Sequence, residues 1–541
     1  MNVLLQHLPI LPIVLPLASA ALLLFLPQSR IKLRSSIALL TVLAQALIAA
    51  YLLYRLSVPQ AGLLEHGVEV YQLGGWLAPY GIVLVVDRLA VLMLALTAAI
   101  ALPVQIYSLA RWDRIGVHYH SMVLLLLMGL NGAFLTGDLF NLFVFFEILL
   151  AASYGLLMHG SNAVRVTAGL HYVAVNLVGS LIFLIGVSLI YGVAGTLNMA
   201  DLSARWAVIP LEERGLFEAG LGILGIAFLI KAGVWPLNFW LPRTYGAASP
   251  PAAALFAIMT KVGVYALLRM GSLLSQPDAP APFGGPWLFY GTVATIWFGS
   301  LGMLAARQLT RLVAFSVIAS SGTLLAVIAI GVAPAIAPML LYMIASVPAG
   351  TAFFLIAGMS ERMRFNSVSE TMAPQPTTYT AFMAGEPAEV ADNEVDEVGV
   401  AIPAALAFLG LAFVSCVILT TGLPPLVGFV AKFSMISALL VPAMDESSGD
   451  AWLLIVSLLV AGFAGLFALI NRGMRTFWST GRATPRLSLI EAGPVALLIV
   501  LCVMLTIYAG AVLEYLDGTA QWLKDPKAYI QAVIPSAEVP L

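Results

Sequence analysis

The sequence predicts an all-α polytopic membrane protein with about fourteen transmembrane helices, two of them broken. Hydrophobic residues make up 61% of the 541 residues and charged residues only 10%, which is more apolar surface than a soluble core of this length could bury. The mean hydropathy of +0.99 agrees. Long apolar runs and an alternating distribution of basic residues support the same fold class.

Fourteen apolar runs have about the length of 17 to 25 residues that a membrane-spanning helix needs. The first run continues from Leu8 to Leu26 with no basic segment before it, so we expect a span rather than a cleaved signal peptide. The long run 402–442 is taken as one broken helix. The predicted spans are 8–26, 37–56, 82–108, 121–136, 138–158, 167–191, 216–241, 252–274, 287–305, 312–331, 335–358, 402–442, 451–471 and 490–512.

Basic residues gather in every second loop of this plan, as expected for the cytoplasmic side of a membrane protein. The intervening loops are poor in basic residues. This alternation predicts that both termini lie outside the cytoplasm. The basic loops hold Arg30, Lys32 and Arg34; Arg111 and Arg114; Arg165; Arg243; Arg307 and Arg311; Arg362 and Arg364; and Arg472, Arg475, Arg482 and Arg486.

Charge and cysteine content exclude several classes of function. The net charge of −2, with no basic patch to neutralise phosphates, argues against a nucleic-acid partner. Cys416 and Cys502 lie in apolar runs without the spacing of a disulfide, metal or iron–sulfur site. We therefore predict no cofactor and no metal.

The segment 359–400 is the only long polar insertion. A solvated cytoplasmic loop explains its acidic composition, and a docking site for a basic partner is the alternative. The tail beyond Leu513 mixes aromatic and charged residues, which suits an interfacial segment better than a further span. The acidic residues of the insertion are Glu386, Glu389, Asp392, Glu394, Asp396 and Glu397.

Four charged residues lie inside the apolar runs: Glu147, Lys231, Lys261 and Lys432. A charged side chain at the bilayer centre costs about 2.5 to 3.5 kcal/mol on insertion scales. Such residues are therefore kept for a purpose, and an ion or proton pathway is the first hypothesis.

Two of these lysines lie next to helix-breaking residues. Pro236 follows Lys231 by five residues, and Gly422, Pro424 and Pro425 precede Lys432. Prolines commonly kink membrane helices without further meaning. However, backbone groups freed at membrane depth need protein or water to satisfy them, and paired breaks indicate a repeat transporter with ion sites there.

Lys261 and Glu147 can be placed in depth from the start of their helices. Ser249, Pro250 and Pro251 predict an N-cap and first turn, which puts Lys261 roughly 16 Å into the bilayer. If the fifth helix starts near Asp138, Glu147 lies roughly 13 Å deep. We expect Glu147 to be protonated or paired with a cation, and Lys231 is the candidate partner.

Four stretches of sequence resemble the antiporter-like subunits shared by Mrp-type cation/proton antiporters and respiratory complex I. Within that family, the resemblance is greatest to the D-type subunits of Mrp antiporters, and it extends over nearly the whole chain. The stretches are TGDLFNLFVFFEILLAASYGLL, FLIKAGVWPLNFWLPRTYGAASPPAAALFAIMTKVGVYALLR, RLVAFSVIASSG and GLPPLVGFVAKF.

The resemblance implies roles for the buried charges and an arrangement of the helices. Glu147, Lys231, Lys261 and Lys432 match the family's proton-translocating residues on the fifth, seventh, eighth and twelfth helices. Helices four to eight and nine to thirteen would form two inverted five-helix repeats. The implied divisions are 1–120 for helices one to three, 121–275 for the first repeat, 276–472 for the second repeat with its loop, and 473–541 for helix fourteen and the tail.

Several further polar residues are candidates for the proton path. Asp138 is either a helix cap or a relay. His171 lies where relatives often have lysine, so it is either a proton carrier or a satisfied interfacial histidine. Relatives often place a histidine near Ser320, and this departure puts the link between the halves in doubt. The hydroxyl candidates of the tenth span are Ser316, Ser320, Ser321 and Thr323.

The implied function is proton translocation by one component of a multisubunit Na⁺/H⁺ or K⁺/H⁺ antiporter of the bacterial cell membrane, with a role in pH homeostasis. The implied partners are subunits of the A, B, C, E, F and G types, and the chain is a transporter subunit rather than an enzyme. One alternative is an M-type proton-pumping subunit of complex I or of a membrane hydrogenase. A second alternative is a proton-inert scaffold.

Overall fold

The structure, a computed structural model, consists of helices joined by short connections, with a single two-stranded sheet in its described part. For residues 363–372 and 442 the backbone alone is described. The described residues are 6–57, 67–115, 118–160, 162–275, 283, 285–372, 404–444, 449–477 and 487–534.

The first half of the chain forms ten helices and the sheet. In order, the elements are α1 (Leu11–Phe25), α2 (Ile31–Ser57), β1 (Glu69–Gln72), β2 (Val83–Val86), α3 (Arg88–Ser108), α4 (Tyr119–Leu135), α5 (Leu139–Met158), α6 (Ala163–Ala194), α7 (Met199–Trp206), α8 (Leu211–Ala232), α9 (Leu241–Ala247) and α10 (Pro250–Leu273).

The second half is helical throughout its described residues. In order, the elements are α11 (Pro286–Ala305), α12 (Leu309–Ile330), α13 (Ile336–Met372), α14 (Ala404–Thr421), α15 (Val427–Ala443), α16 (Gly449–Phe477), α17 (Leu489–Ile507), α18 (Ala509–Lys524) and α19 (Lys527–Val533).

Thirteen helices of the described chain are long and apolar enough to cross a membrane. The 17-residue helix α4 is apolar but shorter, and so is α15. Counting α4 as a span, and α14 with α15 as one broken span, gives the predicted fourteen. The predicted fold class, an all-α polytopic membrane protein, is confirmed.

Two of the predicted boundaries are wrong. The run 82–108 does not begin as a helix, because Val83–Val86 forms β2, which pairs antiparallel with β1. Asp87 then caps α3 by accepting a hydrogen bond from the N–H of Ala90 at 2.7 Å. A short apolar run does not distinguish a buried strand from a helix, so periodicity could not separate the two. The predicted loop 359–400 is also shorter, because α13 continues to Met372.

The acidic residues of the predicted loop, from Glu386 to Glu397, lie outside the described residues. The C-terminal tail is described as far as Ile534, where it forms α18 and α19. It packs against the bundle: the Tyr515 hydroxyl donates to the carbonyl of Arg88 at 3.3 Å, and Tyr529 is buried. Its position at a membrane interface stays a prediction.

Helix α10 lies at the centre of the bundle, with every residue from Pro251 to Met270 buried. Small residues allow its neighbours to approach closely. At Gly263, an added Cβ would overlap the carbonyl oxygen of Phe228 and the backbone nitrogen of Ala232. The helix that carries Lys261 is therefore packed directly against α8, the helix that carries Lys231.

Candidate functional site

Glu147 lies near the middle of α5 and accepts a hydrogen bond from the hydroxyl of Ser180 on α6. Asp138 precedes this helix and caps it, because its Oδ1 accepts from the N–H of Asn141 at 2.8 Å. Asp138 thus serves as a cap in the structure, which is one of the two roles expected for it. Its role as a proton relay stays a prediction.

Lys231 is 6% exposed and lies in the last turn of α8. Its Nζ donates to Asn176 Oδ1 at 3.4 Å and to Ser180 Oγ at 3.5 Å, and it lies 5.8 Å from the ring centre of Phe146. Ser180 therefore accepts from the lysine and donates to Glu147. The expected pair of Glu147 and Lys231 is indirect, because the serine hydroxyl stands between them.

The helix that carries Lys231 ends one residue after it, and the backbone then leaves the helical path. Gly233 adopts a φ of +74°, which favours glycine, and α8 ends at Ala232. The segment that contains Pro236 follows, and α9 begins at Leu241. In this break the N–H of Trp235 donates to Thr295 Oγ1 of α11 at 2.9 Å. A side chain of another helix thus satisfies a backbone group that the break has freed.

Lys261 is 1% exposed on α10. Its Nζ donates to the hydroxyls of Ser320 and Ser321 on α12, each at 3.1 Å, and Ser320 donates onward to Ser346 of α13 at 3.2 Å. Three helices therefore meet at this lysine, and no carboxylate forms an ion pair with it among the described residues.

Ser249 occupies the N-cap position of α10, but its hydroxyl makes no capping hydrogen bond. Ser249 is therefore the N-cap residue, as expected, although its side chain leaves the helix uncapped. Pro251 at the second helical position has no N–H to donate, so only the N–H of Ala252 could have served. The helix start itself lies where it was expected.

A small cavity of about 30 Å³ lies next to Lys261, room for about one water molecule. Ser316 lines it, although the Ser316 hydroxyl donates to the carbonyl of Val313 in its own helix. Thr323 donates to the carbonyl of Ala319 at 3.0 Å and does not line the cavity. The polar lining consists of Lys261, Ser316, Ser320, Tyr342, Ser346 and Thr420.

Two residues that line this cavity, Tyr342 and Thr420, are also neighbours of Lys432. The Lys432 Nζ donates to the carbonyl oxygens of Thr421 at 2.8 Å and Thr420 at 3.4 Å, and it lies 5.9 Å from the ring centre of Tyr342. Lys261 and Lys432 thus belong to one polar region, joined by Tyr342 and the cavity.

The two carbonyls that bind Lys432 end α14 at a second break. Gly422 has a φ of +78°, Pro424 and Pro425 follow, and α15 begins at Val427. Carbonyls at the C-terminus of a helix carry partial negative charge and favour a cation. The break therefore supplies the acceptors for the lysine.

Two gaps remain in this arrangement. His171 is exposed and its Nδ1 bonds the carbonyl of Thr167 one turn earlier, so it does not reach the Lys231 group. Within the described residues no hydrogen bond joins the Lys231 group to the Lys261 group, although α8 and α10 are packed together. The polar residues thus form two clusters.

The sequence did not predict a buried ion pair that joins the helix of Lys261 to the start of α3. Arg269 bonds Asp87 at 2.5 and 2.8 Å, and both side chains are buried. The guanidinium also lies between the rings of Trp522 and Tyr529. Arg269 follows Lys261 by two turns, and Asp87 stands at a helix start, so spacing and cap position were the available signals.

Ser180, Asn176 and Ser346 were also missed. Asn176 and Ser180 are four residues apart and face the same side of α6, which is a recognisable signal in an apolar helix. Ser346 follows Tyr342 by four residues in α13, and the fold brings it to Ser320.

Comparison with known proteins identifies the family. The chain is 47% identical over 537 residues to the D-type subunit of a probable K⁺/H⁺ antiporter of Rhizobium meliloti, covering 98% of each chain. The chain belongs to the family of D-type antiporter subunits. It is also 33% identical over 534 residues to the D-type subunit of the Na⁺/H⁺ antiporter of Bacillus subtilis, covering 97% of this chain and 99% of the relative.

The wider family and a solved structure agree with this membership. Residues 136–386 match the family described as NADH:quinone oxidoreductase/Mrp antiporter, transmembrane. A chain in the structure of the Mrp complex from Dietzia sp. DQ12-45-1b superimposes with a TM-score of 0.80 at 25% identity, covering 98% of this chain and 99% of that chain. A shared fold does not show which residues carry protons, so a proton path has to be inferred from the positions of Glu147 and the three lysines.

Proposed function

We propose that this chain is the proton-translocating subunit of a multisubunit monovalent cation/proton antiporter in a bacterial cell membrane. The observation that carries the proposal is the unit of Glu147, Ser180 and Lys231. An acid and a base share one hydroxyl there, away from bulk water. Such a unit can take up and release a proton with little movement.

The unit works through its charge balance. When Glu147 is ionised, its negative charge stabilises the ammonium of Lys231 through Ser180. When Glu147 takes up a proton, Lys231 loses that compensation, and a buried lone ammonium is unfavourable by several kcal/mol. Lys231 then passes its proton on, and Glu147 returns its own proton when Lys231 is recharged.

The proton released by Lys231 has Lys261 and then Lys432 as successive carriers. The cavity shared by Ser320, Tyr342 and Thr420 supports transfer between the last two. The step from Lys231 to Lys261 needs a hydrated contact between α8 and α10. The main carriers in this proposal do not include four of the other candidates, Ser316, Thr323, Asp138 and His171.

The companions are the other subunits of an antiporter complex, of the A, B, C, E, F and G types, and the exchanged cation is Na⁺ or K⁺. Both relatives are named as antiporter subunits, one for K⁺ and one for Na⁺. The chain thus acts as a transporter subunit and not as an enzyme. Its termini lie outside the cytoplasm, on the side opposite to the basic loops.

The two halves 121–275 and 276–472 are inverted repeats in this proposal. Support comes from the two breaks, because each follows a glycine with positive φ, Gly233 or Gly422, and each is followed by proline. Each break also lies beside a lysine, buried Lys231 or half-buried Lys432. Inverted repeats place such broken helices at corresponding positions.

Proton transport in inverted membrane vesicles that contain the whole complex tests the proposal. The variant Glu147→Gln keeps the shape but removes the charge, and we expect cation-dependent dissipation of a pH gradient to fall about tenfold or more. Glu218→Gln is the matched control, since Glu218 is an exposed glutamate on α8. Full transport by assembled Glu147→Gln complex would overturn the proposal. Iron–sulfur or flavin subunits in the purified native complex would favour a redox-driven pump.

A further inference from the structure

A large cavity opens at the end of the bundle where the basic loops gather. Its volume is about 770 Å³, and it lies among the ends of α3, α6, α9, α10 and α12 and the side of α13. Five arginines from separate elements of the chain line it, although composition predicted no basic patch. The arginines are Arg111, Arg165, Arg243, Arg311 and Arg362.

Two of these arginines are occupied by the protein. Arg362 pairs with Glu491 at 2.6 Å. Arg165 donates to the backbone carbonyls of His159, Gly160 and Ala247. Neither has its full charge available to a ligand.

The other arginines are available. Arg243 and Arg311 are exposed and, within the described residues, donate to no carboxylate or carbonyl. Arg111 is exposed and contacts only the ring face of Trp112, at 5.2 Å, in that part of the chain. Glu361 is the one carboxylate among the described lining residues, and it accepts from Thr310 at 3.2 Å. The cavity therefore carries an excess of positive charge.

Three helices also point their N-termini at this cavity: α6 begins at Ala163, α10 at Pro250 and α12 at Leu309. The N-terminus of a helix carries partial positive charge, which favours an anion. Free N–H groups can add to this at α12, but not at the first two positions of α10, which are proline. At α12 the N-cap residue Gln308 makes no side-chain cap, so its first N–H groups are not taken by a capping side chain.

We propose that this arginine cavity binds a phosphate-bearing anion, either the headgroup of an anionic phospholipid or a free phosphate. Guanidinium groups match phosphate oxygens in geometry and charge. Basic pockets between membrane helices at this depth bind lipid headgroups in general. The volume exceeds that of a phosphate group alone and leaves room for the glycerol part of a headgroup.

The position of the cavity gives such a ligand a consequence. His171 lines it, and Pro250 begins the helix that carries Lys261. Positive charge at this mouth repels cations and protons. A bound phosphate neutralises the arginines and removes that barrier.

Binding to the purified, delipidated whole complex in neutral detergent tests the proposal. The probes are dioleoyl phosphatidylglycerol, with phosphatidylcholine for comparison, and radiolabelled inorganic phosphate. The test variant is Arg243→Gln with Arg311→Gln. The matched control is Arg30→Gln with Lys32→Gln, which removes the same charge from exposed residues at the same end of the bundle.

We expect the test variant to bind about tenfold less of the preferred probe, because it loses charge-assisted hydrogen bonds to the phosphate oxygens. The control stays within about twofold of the wild type. Phosphatidylglycerol that inorganic phosphate does not displace identifies a lipid site, and competing phosphate identifies a free anion site. A further variant, Arg243→Lys with Arg311→Lys, keeps the charge and should retain part of the binding. Equal binding by wild type and assembled test variant overturns the proposal, and so does the absence of binding of either probe to the wild type.

Discussion

Lys231 and Lys432 both lie beside a broken helix, but their ammonium groups have different kinds of partner. Lys231 bonds side chains of a neighbouring helix, Asn176 and Ser180, and Ser180 leads to Glu147. Lys432 bonds two backbone carbonyls at the end of α14, and no ion pair of Lys432 occurs within the described chain.

A lysine at membrane depth can therefore be stabilised in two ways, by side chains or by backbone carbonyls. A carboxylate can gain a proton, so the environment of Lys231 can switch between two charges. Backbone carbonyls cannot titrate, so the environment of Lys432 changes only if the backbone at the break moves. The first site therefore responds to protons, and the second responds to conformation. Substitutions in the two sites should fail in different ways.

The largest effect is expected at the break beside Lys432. In Gly422→Ala the new residue must adopt a positive φ, which costs about 1–2 kcal/mol, and its Cβ would lie 2.5 Å from Lys432 Cδ. The lysine must leave its carbonyl partners. We expect transport in vesicles to fall about tenfold or more, together with a lower melting temperature of the complex.

Gly410→Ala in α14 is the control for this substitution, because a Cβ there meets no atom within 4 Å. Alanine in a helix interior is more stable than glycine by roughly 0.5–1 kcal/mol, so this variant should be at least as stable as the wild type. Wild-type transport by Gly422→Ala would show that the carbonyl contact of Lys432 is dispensable.

The next effect is expected at the hydroxyl between Glu147 and Lys231. Ser180→Ala leaves a half-buried acid and a buried base without their shared partner, and hydrogen bonds to charged groups are worth about 1.5–3 kcal/mol. We expect roughly a tenfold loss of transport with a normal amount of assembled complex. Measuring transport against external pH should show a changed profile, since the hydroxyl no longer links Glu147 to Lys231.

Ser188→Ala is the control on the same helix, because the Ser188 hydroxyl bonds only the carbonyl of Leu184. It should transport like the wild type. If both alanine variants behave alike, the hydroxyl of Ser180 has no special part in coupling Glu147 to Lys231.

The sequence allowed the lysines and the breaks to be predicted, because a charge at membrane depth and a Gly/Pro cluster in an apolar run are both locally visible. The spacing of Asn176 and Ser180 is visible in the sequence, but it does not show that Ser180, rather than Ser188, contacts Glu147. Both serines bond a carbonyl four residues earlier in α6, at 3.0 and 2.7 Å, and only tertiary packing brings one of them to Glu147.

Long-range arrangement explains the other omissions. The five arginines of the cavity come from one loop and four different helices, so no sequence window shows them as a cluster. Asp87 and Arg269 are 182 positions apart, and their pairing depends on how α10 is packed in the bundle. The strand β2 was missed because its four buried residues continue directly into an apolar helix.

A smaller effect is expected at Lys261, where two hydroxyls share one ammonium group. In Ser320→Ala or Ser321→Ala the remaining serine still bonds the lysine, so each single change should cost about 1 kcal/mol and lower transport several-fold at most. The double variant should lose more than the two single losses added together. Ser300→Ala, on the neighbouring α11, removes a hydroxyl that bonds its own helix and serves as the control.

The smallest effect is expected at His171, which has neither kind of partner. Its ring is exposed and bonds the carbonyl of Thr167 in its own helix, and it reaches neither Lys231 nor Glu147. His171→Gln keeps a side chain that can hydrogen-bond, and we expect transport to stay within about twofold of the wild type, in line with other exposed substitutions. A loss as large as that of Ser180→Ala would make His171 part of the proton path. Its contact with Lys231 would then have to run through water, and the first site would extend to the arginine cavity.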